Sequence, residues 1–138
     1  MAKSPERIII DTNLWIHFLI SKELSSLDKH IFSKRVRLIF CQELLDEFLE
    51  VVSRPKLQKY FSKKDVVDLL NLIDIKADFI KVVSEVDRCR DPKDNFLLSL
   101  ALDASADFIL TGYKDLLELR AIEKTKIVTV TQYLSIIQ

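Results

Sequence analysis

Five acidic side chains stand where chemistry could use them: Asp11, Glu47, Asp91, Asp94 and Asp115. Asp11 follows the apolar run Ile8-Ile9-Ile10 directly, with Asn13 two residues further on. Asp91 and Asp94 belong to the segment Arg90-Asp91-Pro92-Lys93-Asp94-Asn95, and Asp115 follows Thr111-Gly112-Tyr113-Lys114. Carboxylates gathered in one place repel one another, and some then keep their protons. A hard divalent cation such as Mg²⁺ or Mn²⁺ relieves that repulsion, taking oxygen ligands from carboxylates, water and substrate phosphate. Such a centre activates water for attack on phosphorus and stabilises the charge of the transferring group.

Competing chemistries are poorly supplied. The 138 residues include one Gly and three Pro, where average usage would give roughly 16 of the two together. A glycine-rich phosphate loop and a dinucleotide fingerprint are therefore excluded, since each needs several glycines. Cys41 and Cys89 form no CxxC, and His17 and His30 lie in separate contexts. Neither a disulfide framework nor a zinc site is expected. The start Met1-Ala2-Lys3-Ser4-Pro5-Glu6-Arg7 lacks a signal-peptide layout, and no apolar run approaches the roughly 20 residues of a membrane span. The expectation is a reduced, cytoplasmic protein without a membrane segment.

The acids must be brought together, and the hydrophobic pattern predicts how. Residues 7–10 read as a strand buried on both faces, hence parallel and central. Helices are predicted over 14–20 and 27–32, and a second strand over 37–40. Residues 42–53 form an amphipathic helix that Arg54-Pro55 ends. Ser62, with Asp65 three residues later, caps a helix over 66–75. A third strand is predicted over 79–83. Asp91-Pro92 then opens a helix whose apolar stripe holds Phe96, Leu97, Leu100, Ala101 and Ala104. Strands over 108–110 and 127–130 and a helix over 131–138 complete the chain. This alternation predicts one α/β domain over 1–138, with a parallel sheet of about five strands.

In open parallel sheets, ligands sit at the carboxyl ends of the strands. Asp11, the Asp91/Asp94 pair and Asp115 follow strands one, three and four in that order. Glu47 is selected by helical phase. At about 100° per residue, Leu44, Leu45, Phe48, Leu49, Val51 and Val52 define the buried arc. Glu47 lies nearest this arc, while Glu43, Asp46 and Glu50 point further into solvent. Each acid alone has a structural explanation. Asp11 and Asp91 can be N-caps, Asp94 can favour the positive helix N-terminus, Glu47 can be a solvated helix acid, and Asp115 a loop residue. The joint pattern is what points to a metal cleft.

Taken in order, these segments resemble the PIN-domain family of metal-dependent ribonucleases. The resemblance is carried by Ile8-Ile9-Ile10-Asp11-Thr12-Asn13, then Gln42-Glu43-Leu44-Leu45-Asp46-Glu47-Phe48. Arg90-Asp91-Pro92-Lys93-Asp94-Asn95 follows, and then Leu110-Thr111-Gly112-Tyr113-Lys114-Asp115-Leu116-Leu117. It runs from Arg7 to about Leu134 and is nearest to the prokaryotic toxin components of toxin–antitoxin pairs (VapC-like ribonucleases). The resemblance implies an α/β/α sandwich whose carboxylates bind Mg²⁺ or Mn²⁺ at the sheet's carboxyl edge. By position it makes Asp11, Glu47 and Asp94 the acidic triad and Asp115 a further acid. Asn13, Asp91 and Thr111 become supporting residues. It also implies an RNA substrate, a small antitoxin protein as partner, and a homodimer.

Tyr113 departs from the family pattern, because it stands where an acid is usual. A phenol titrating near 10 cannot replace a carboxylate ligand at neutral pH, so a second metal and full activity come into question. Its ring could instead stack on a base at the cleft mouth. The formal net charge is zero, with 21 basic and 21 acidic residues, yet the charges are segregated. An acidic stretch over 41–50 is followed by Arg54, Lys56, Lys59, Lys63 and Lys64, and Lys34, Arg35 and Arg37 form a second basic group. Charge runs are usually solvated faces, but basic margins would also hold a polyanion. Arg54, Lys56, Lys59 and Tyr113 are therefore the candidate RNA contacts. The leading expectation is an endoribonuclease, and the alternative is a catalytically impaired PIN-fold module that binds RNA or a protein. A phosphatase with Asp11 as nucleophile is disfavoured because strand one ends in Asp-x-Asn rather than Asp-x-Asp, and a receiver domain because no acidic pair follows strand one. Gly112, the one glycine, is expected to let the chain turn toward the cleft.

Overall fold

In the computed structural model, which describes residues 4–21 and 33–137, Ile8, Ile9 and Ile10 are 0%, 0% and 2% exposed. Consecutive strand residues point to opposite faces, so this strand is covered on both sides. The architecture is accordingly α/β/α, with helices flanking a central sheet. In chain order the elements are β1 (Glu6–Ile10), α1 (Thr12–Ser21), β2 (Val36–Phe40) and α2 (Gln42–Val52), then a 3₁₀ turn (Pro55–Leu57). There follow α3 (Lys63–Lys76), β3 (Ala77–Phe79), α4 (Pro92–Ala104), β4 (Phe108–Leu110) and α5 (Lys114–Leu119). β5 (Ala121–Ile122), β6 (Thr125–Val128) and α6 (Val130–Ile137) end the chain.

The sheet order is β3-β2-β1-β4-β6-β5. Parallel pairing joins β3, β2, β1, β4 and β6, the five strands that the sequence predicts. β5 adds a sixth, antiparallel to β6 at the edge. Neither β5 nor the six-residue α5 is anticipated, since segments so short show no periodicity. The core packs Trp15 between Phe18 and Phe40, with ring centroids 6.1 Å apart in each pair. Tyr133 is fully buried edge-on to Phe108, and its hydroxyl donates to Glu6.

Three boundaries move for identifiable reasons. The third strand lies over Ala77–Phe79 rather than 79–83. After the Ile80 N–H donates to the Phe40 carbonyl, the chain leaves the ladder, and Asp103 accepts from the N–H groups of Val83 and Ser84 instead. The last parallel strand ends at Val128 rather than at residue 130. There Thr129 and Gln132 exchange backbone and side-chain hydrogen bonds in a capping box, which starts α6 at Val130. The expected Ser62–Asp65 cap is present and reciprocal, and it starts α3 at Lys63. The helix predicted over 27–32, with His30, lies outside the described residues.

The scarcity of glycine has a backbone consequence. Ser105, Arg120 and Glu123 adopt positive φ, which glycine would adopt without strain. Ser105 ends α4 in a Schellman motif, with its own N–H on the Leu102 carbonyl and the Ala106 N–H on that of Ala101. Gly112 itself has no positive φ, and a Cβ there would meet nothing within 4 Å. The expectation that Gly112 enables the turn is therefore corrected. The chain turns there without needing a glycine.

Arg7 and Arg37 lie directly opposite each other in the β1–β2 register, a repulsive arrangement. Asp78 on β3 relieves it by pairing with Arg37 at 2.5 Å and with Arg7 at 3.1 Å. Arg37 thus has a structural task beyond any place in a basic surface group.

Two outcomes are expected. Ser105→Gly removes αL strain and should raise stability by about 1 kcal/mol, or about 4 °C in Tm, read by thermal denaturation. The Arg37 hydrogen bond, ahead of the other neighbours, holds the Asp78 carboxyl below its usual value. The stability that it contributes is present above the ordinary carboxylate range and is lost as pH falls through the lowered folded value. Urea denaturation at stepped pH should show that acid slope reduced in Asp78→Asn.

Candidate metal centre

β1 pairs with β2 on one side and β4 on the other, so the chain order reverses direction between β1 and β4. The carboxyl ends of two such strands flank a crevice where ligands bind in open α/β sheets. Asp11 is the first residue beyond β1, and Thr111 is the first beyond β4. Asp11 Oδ1 accepts from the Leu14 N–H at 3.0 Å, the cap that its position predicts. Asp11 Oδ2 has no hydrogen-bond partner among the described residues, although the side chain is 2% exposed. Burial pushes its carboxyl above the usual range. Thr111 and the N–H groups of Leu14, Gly112 and Asn13 pull the other way.

α2 and α4 bring the remaining acids to this crevice. Asp94 is buried in the first turn of α4, and its carboxyl is pushed up by burial, then by Asp91, Asp115 and Asp11. Glu47 is half-buried on α2. A cavity of about 350 Å³ is lined by Asp11, Glu47, Asp91 and Asp94 together with Glu43, which the helical phase had directed to solvent. Asp91 also accepts from the Lys93 N–H at 2.9 Å, so it is a cap as well as a lining acid. Asp115 is exposed in the first turn of α5 and does not line the cavity.

The donor set is all hard oxygen, and Asp11 Oδ2 is buried without a partner. In chemical type these residues fit a divalent cation such as Mg²⁺ or Mn²⁺. As placed, no three acidic, His or Cys side chains among the described residues are close enough together to hold an ion. They line the cavity as separate donors.

With the geometry established, comparison supplies the family. A model of the PIN domain matches residues 7–115, from β1 through Asp115. The chain belongs to the PIN domain family. No curated protein matches it. PIN domains are usually nucleases that act on RNA and generally use divalent metal ions. Among the described residues, no helix is long and apolar enough to cross a membrane.

Within this PIN domain, Asn13 is exposed, and its amide donates to the Tyr113 hydroxyl rather than to Asp11. Tyr113 lines the acidic cavity, and Thr111 Oγ1 accepts its N–H at 3.0 Å. Burial, then the charge of Asp11, pushes the phenol above its usual range, with Glu47 and Asp94 adding to the effect. Among the basic candidates, Arg54 pairs with Glu50 at 2.9 Å, and Lys59 sits 5.1 Å from the Tyr60 ring centroid. Lys56 is exposed in the 3₁₀ turn. None of the three lines the acidic cavity. This turn lies beside an apolar groove of about 440 Å³ between the end of α2 and the start of α3. The cation that does line the acidic cavity is Lys93, which charge runs do not single out.

Sequence reasoning also leaves Asn95, Ser99 and Asp103 without a role. Spaced by four, they share one face of α4 and fasten the segment that enters the helix. Asn95 Oδ1 accepts from the N–H groups of Arg88 and Cys89, and Asn95 Nδ2 donates to the Cys89 carbonyl. Ser99 Oγ accepts from the Val86 N–H, and Asp103 takes those of Val83 and Ser84. Polar residues recurring every fourth position on an otherwise apolar helix are the signal that could have revealed them.

Burying a carboxylate with one oxygen unpartnered destabilises the metal-free protein. Because the folded value is raised, this cost grows as pH rises above the ordinary carboxylate range. Asp11→Asn keeps the Leu14 bond without the charge. In chelator at neutral pH it should raise stability by about 1 kcal/mol. Added Mn²⁺ should raise Tm in the parent protein but not in the variant, as read by thermal denaturation with and without metal.

Proposed function

We propose that this PIN domain is a metal-dependent endoribonuclease that hydrolyses RNA phosphodiesters with Mg²⁺ or Mn²⁺. The observation that carries the reading is the buried Asp11 carboxylate, half unpartnered, lining one cavity with Glu47 and Asp94. Asp11, Asp94 and Glu47 would hold the cation. Bound there, it supplies Lewis acidity and offsets negative charge on the phosphate. Lys93, on the rim of the same cavity, meets the incoming phosphate as a counter-charge. Glu47, less buried than the two aspartates, orients the attacking water. Phe96 and Leu97 add apolar wall and restrict bulk water.

The proposal extends to a toxin of a toxin–antitoxin pair, with a small antitoxin protein covering the cleft and a homodimeric assembly. Its support is the ordered set of four motifs. Tyr113 favours a second reading, an impaired module that binds RNA or a protein partner without cutting, because it places a neutral phenol in the cavity wall.

A fluorescent RNA cleavage assay separates the two. Cleavage should require Mg²⁺ or Mn²⁺ and cease in chelator. Asp11→Asn and Asp94→Asn should each lower the rate by at least about 100-fold, since groups that merely support metal ligands already account for about 10- to 100-fold. Metal-dependent cleavage surviving both changes would remove these residues from the site. RNA binding with no cleavage by the parent protein would establish the second reading.

A further inference from the structure

We infer that the apolar groove between the end of α2 and the start of α3 docks an acidic, amphipathic helix of a partner protein. The inference is independent of the nuclease reading, because the groove and the acidic cavity share no lining residue. Along α2 the two sites divide the helix: Glu43 and Glu47 line the cavity, and Leu49 and Val52 line the groove. Val52 and Phe61 are each 7% exposed and form the floor of the groove, whereas Leu49 and Val67 are 37% and 52% exposed at its margins. Apolar side chains exposed together around a concavity with a polar rim mark an interaction surface.

The chemistry of the lining selects the occupant. Its neutral polar groups are already engaged by the chain itself. Ser53 Oγ donates to the Glu50 carbonyl, Gln58 Nε2 donates to the Ser53 carbonyl, and Ser62 Oγ accepts the Asp65 N–H. In the turn between the two helices, the N–H groups of Leu57, Gln58 and Tyr60 donate to the carbonyls of Arg54, Pro55 and Leu57. This turn therefore offers no ladder to an extended peptide. Apolar surface and charge remain, and those are what a helix laid into a groove uses. The charge has one sign. Lys63 is the one charged residue of the lining among the described residues. Lys56, Lys63 and Lys64 are exposed, and none forms an ion pair among the described residues. Within the lining stretches 49–53 and 61–67, the two acids are committed, Glu50 to Arg54 at 2.9 Å and Asp65 to the Ser62 N–H at 3.0 Å. The complement is Asp or Glu beside the apolar anchors of the incoming helix. Single-stranded RNA suits the groove less. Bases need an open aromatic face for stacking, and Phe61, the aromatic ring of the lining, is buried.

The test exposes the full chain to a displayed library of random peptides. Enriched sequences should carry Leu, Ile or Phe at helical spacing together with a net negative charge. By fluorescence anisotropy, the consensus peptide should bind the parent protein and lose affinity as salt rises. Val67→Asp and Leu49→Glu, both at exposed positions, should each weaken it at least about 10-fold, with folding checked by circular dichroism. Lys56→Glu combined with Lys63→Glu should weaken it as much and remove the salt dependence. Asp11→Asn, in the separate acidic cavity, should leave peptide affinity unchanged, so that failure of the nuclease reading would not touch this result. A library that fails to enrich, enrichment of basic peptides, or consensus binding that survives in the folded groove variants would overturn the inference. Displacement of the peptide from the parent protein by polyuridine RNA in chelator would overturn it in favour of a nucleic-acid site.

Discussion

The structure is organised around a charge in an unfavourable place. Asp11 directly follows the central strand β1 and is itself almost wholly buried. A carboxylate there is desolvated, and the Leu14 N–H satisfies Oδ1 while Oδ2 has no hydrogen-bond partner among the described residues. Neighbouring acids compound the cost, because Asp94 and Asp11 each disfavour the other's charge. A domain gains nothing in folding from such an arrangement. It persists where the surrounding structure over-determines it, and it suits a site that a cation completes.

That surrounding structure is the sheet's change of direction between β1 and β4. Asp11 is placed by β1, Thr111 by β4, Glu47 by the helix after β2, and Asp94 by the helix entered from β3. The last placement is the most demanding, since residues 80–91 run outside any ladder. The polar face of α4 takes over the role of a ladder there. Asn95, Ser99 and Asp103 satisfy the backbone groups of residues 83–89 that a sheet would otherwise satisfy. Asp91 and Pro92 then start the helix, and Asp94 follows within its first turn. The Arg90-Asp91-Pro92-Lys93-Asp94-Asn95 segment therefore combines two functions, with Asn95 holding the approach and Asp94 facing the cleft.

Tyr113 sets the chemistry of one part of the cleft wall. Thr111 Oγ1 accepts the Tyr113 N–H and so supports the backbone path after β4. The phenol lines the acidic cavity, and its hydroxyl accepts from the side-chain amide of Asn13. It makes that part of the cleft wall neutral.

Much of the fold was legible in the sequence, because burial on two faces leaves a continuous apolar run and caps leave fixed spacings. Ile8-Ile9-Ile10 determined the central strand, Ser62 with Asp65 the start of α3, and Asp91-Pro92 the start of α4. Strand ends and helical phase also pointed to Asp11, Glu47 and Asp94, which line one cavity. Tertiary structure alone decided the rest, since it depends on contacts between residues far apart in the chain. It put Glu43 and Lys93 on the cavity, left Asp115 outside, and set Arg54, Lys56 and Lys59 beside an apolar groove. It joined Asn13 to Tyr113 across 100 residues of sequence, and it showed Gly112 to be dispensable to its turn. Local pattern specifies which way a side chain leaves its own element. Which neighbour it then meets is decided only when the elements pack.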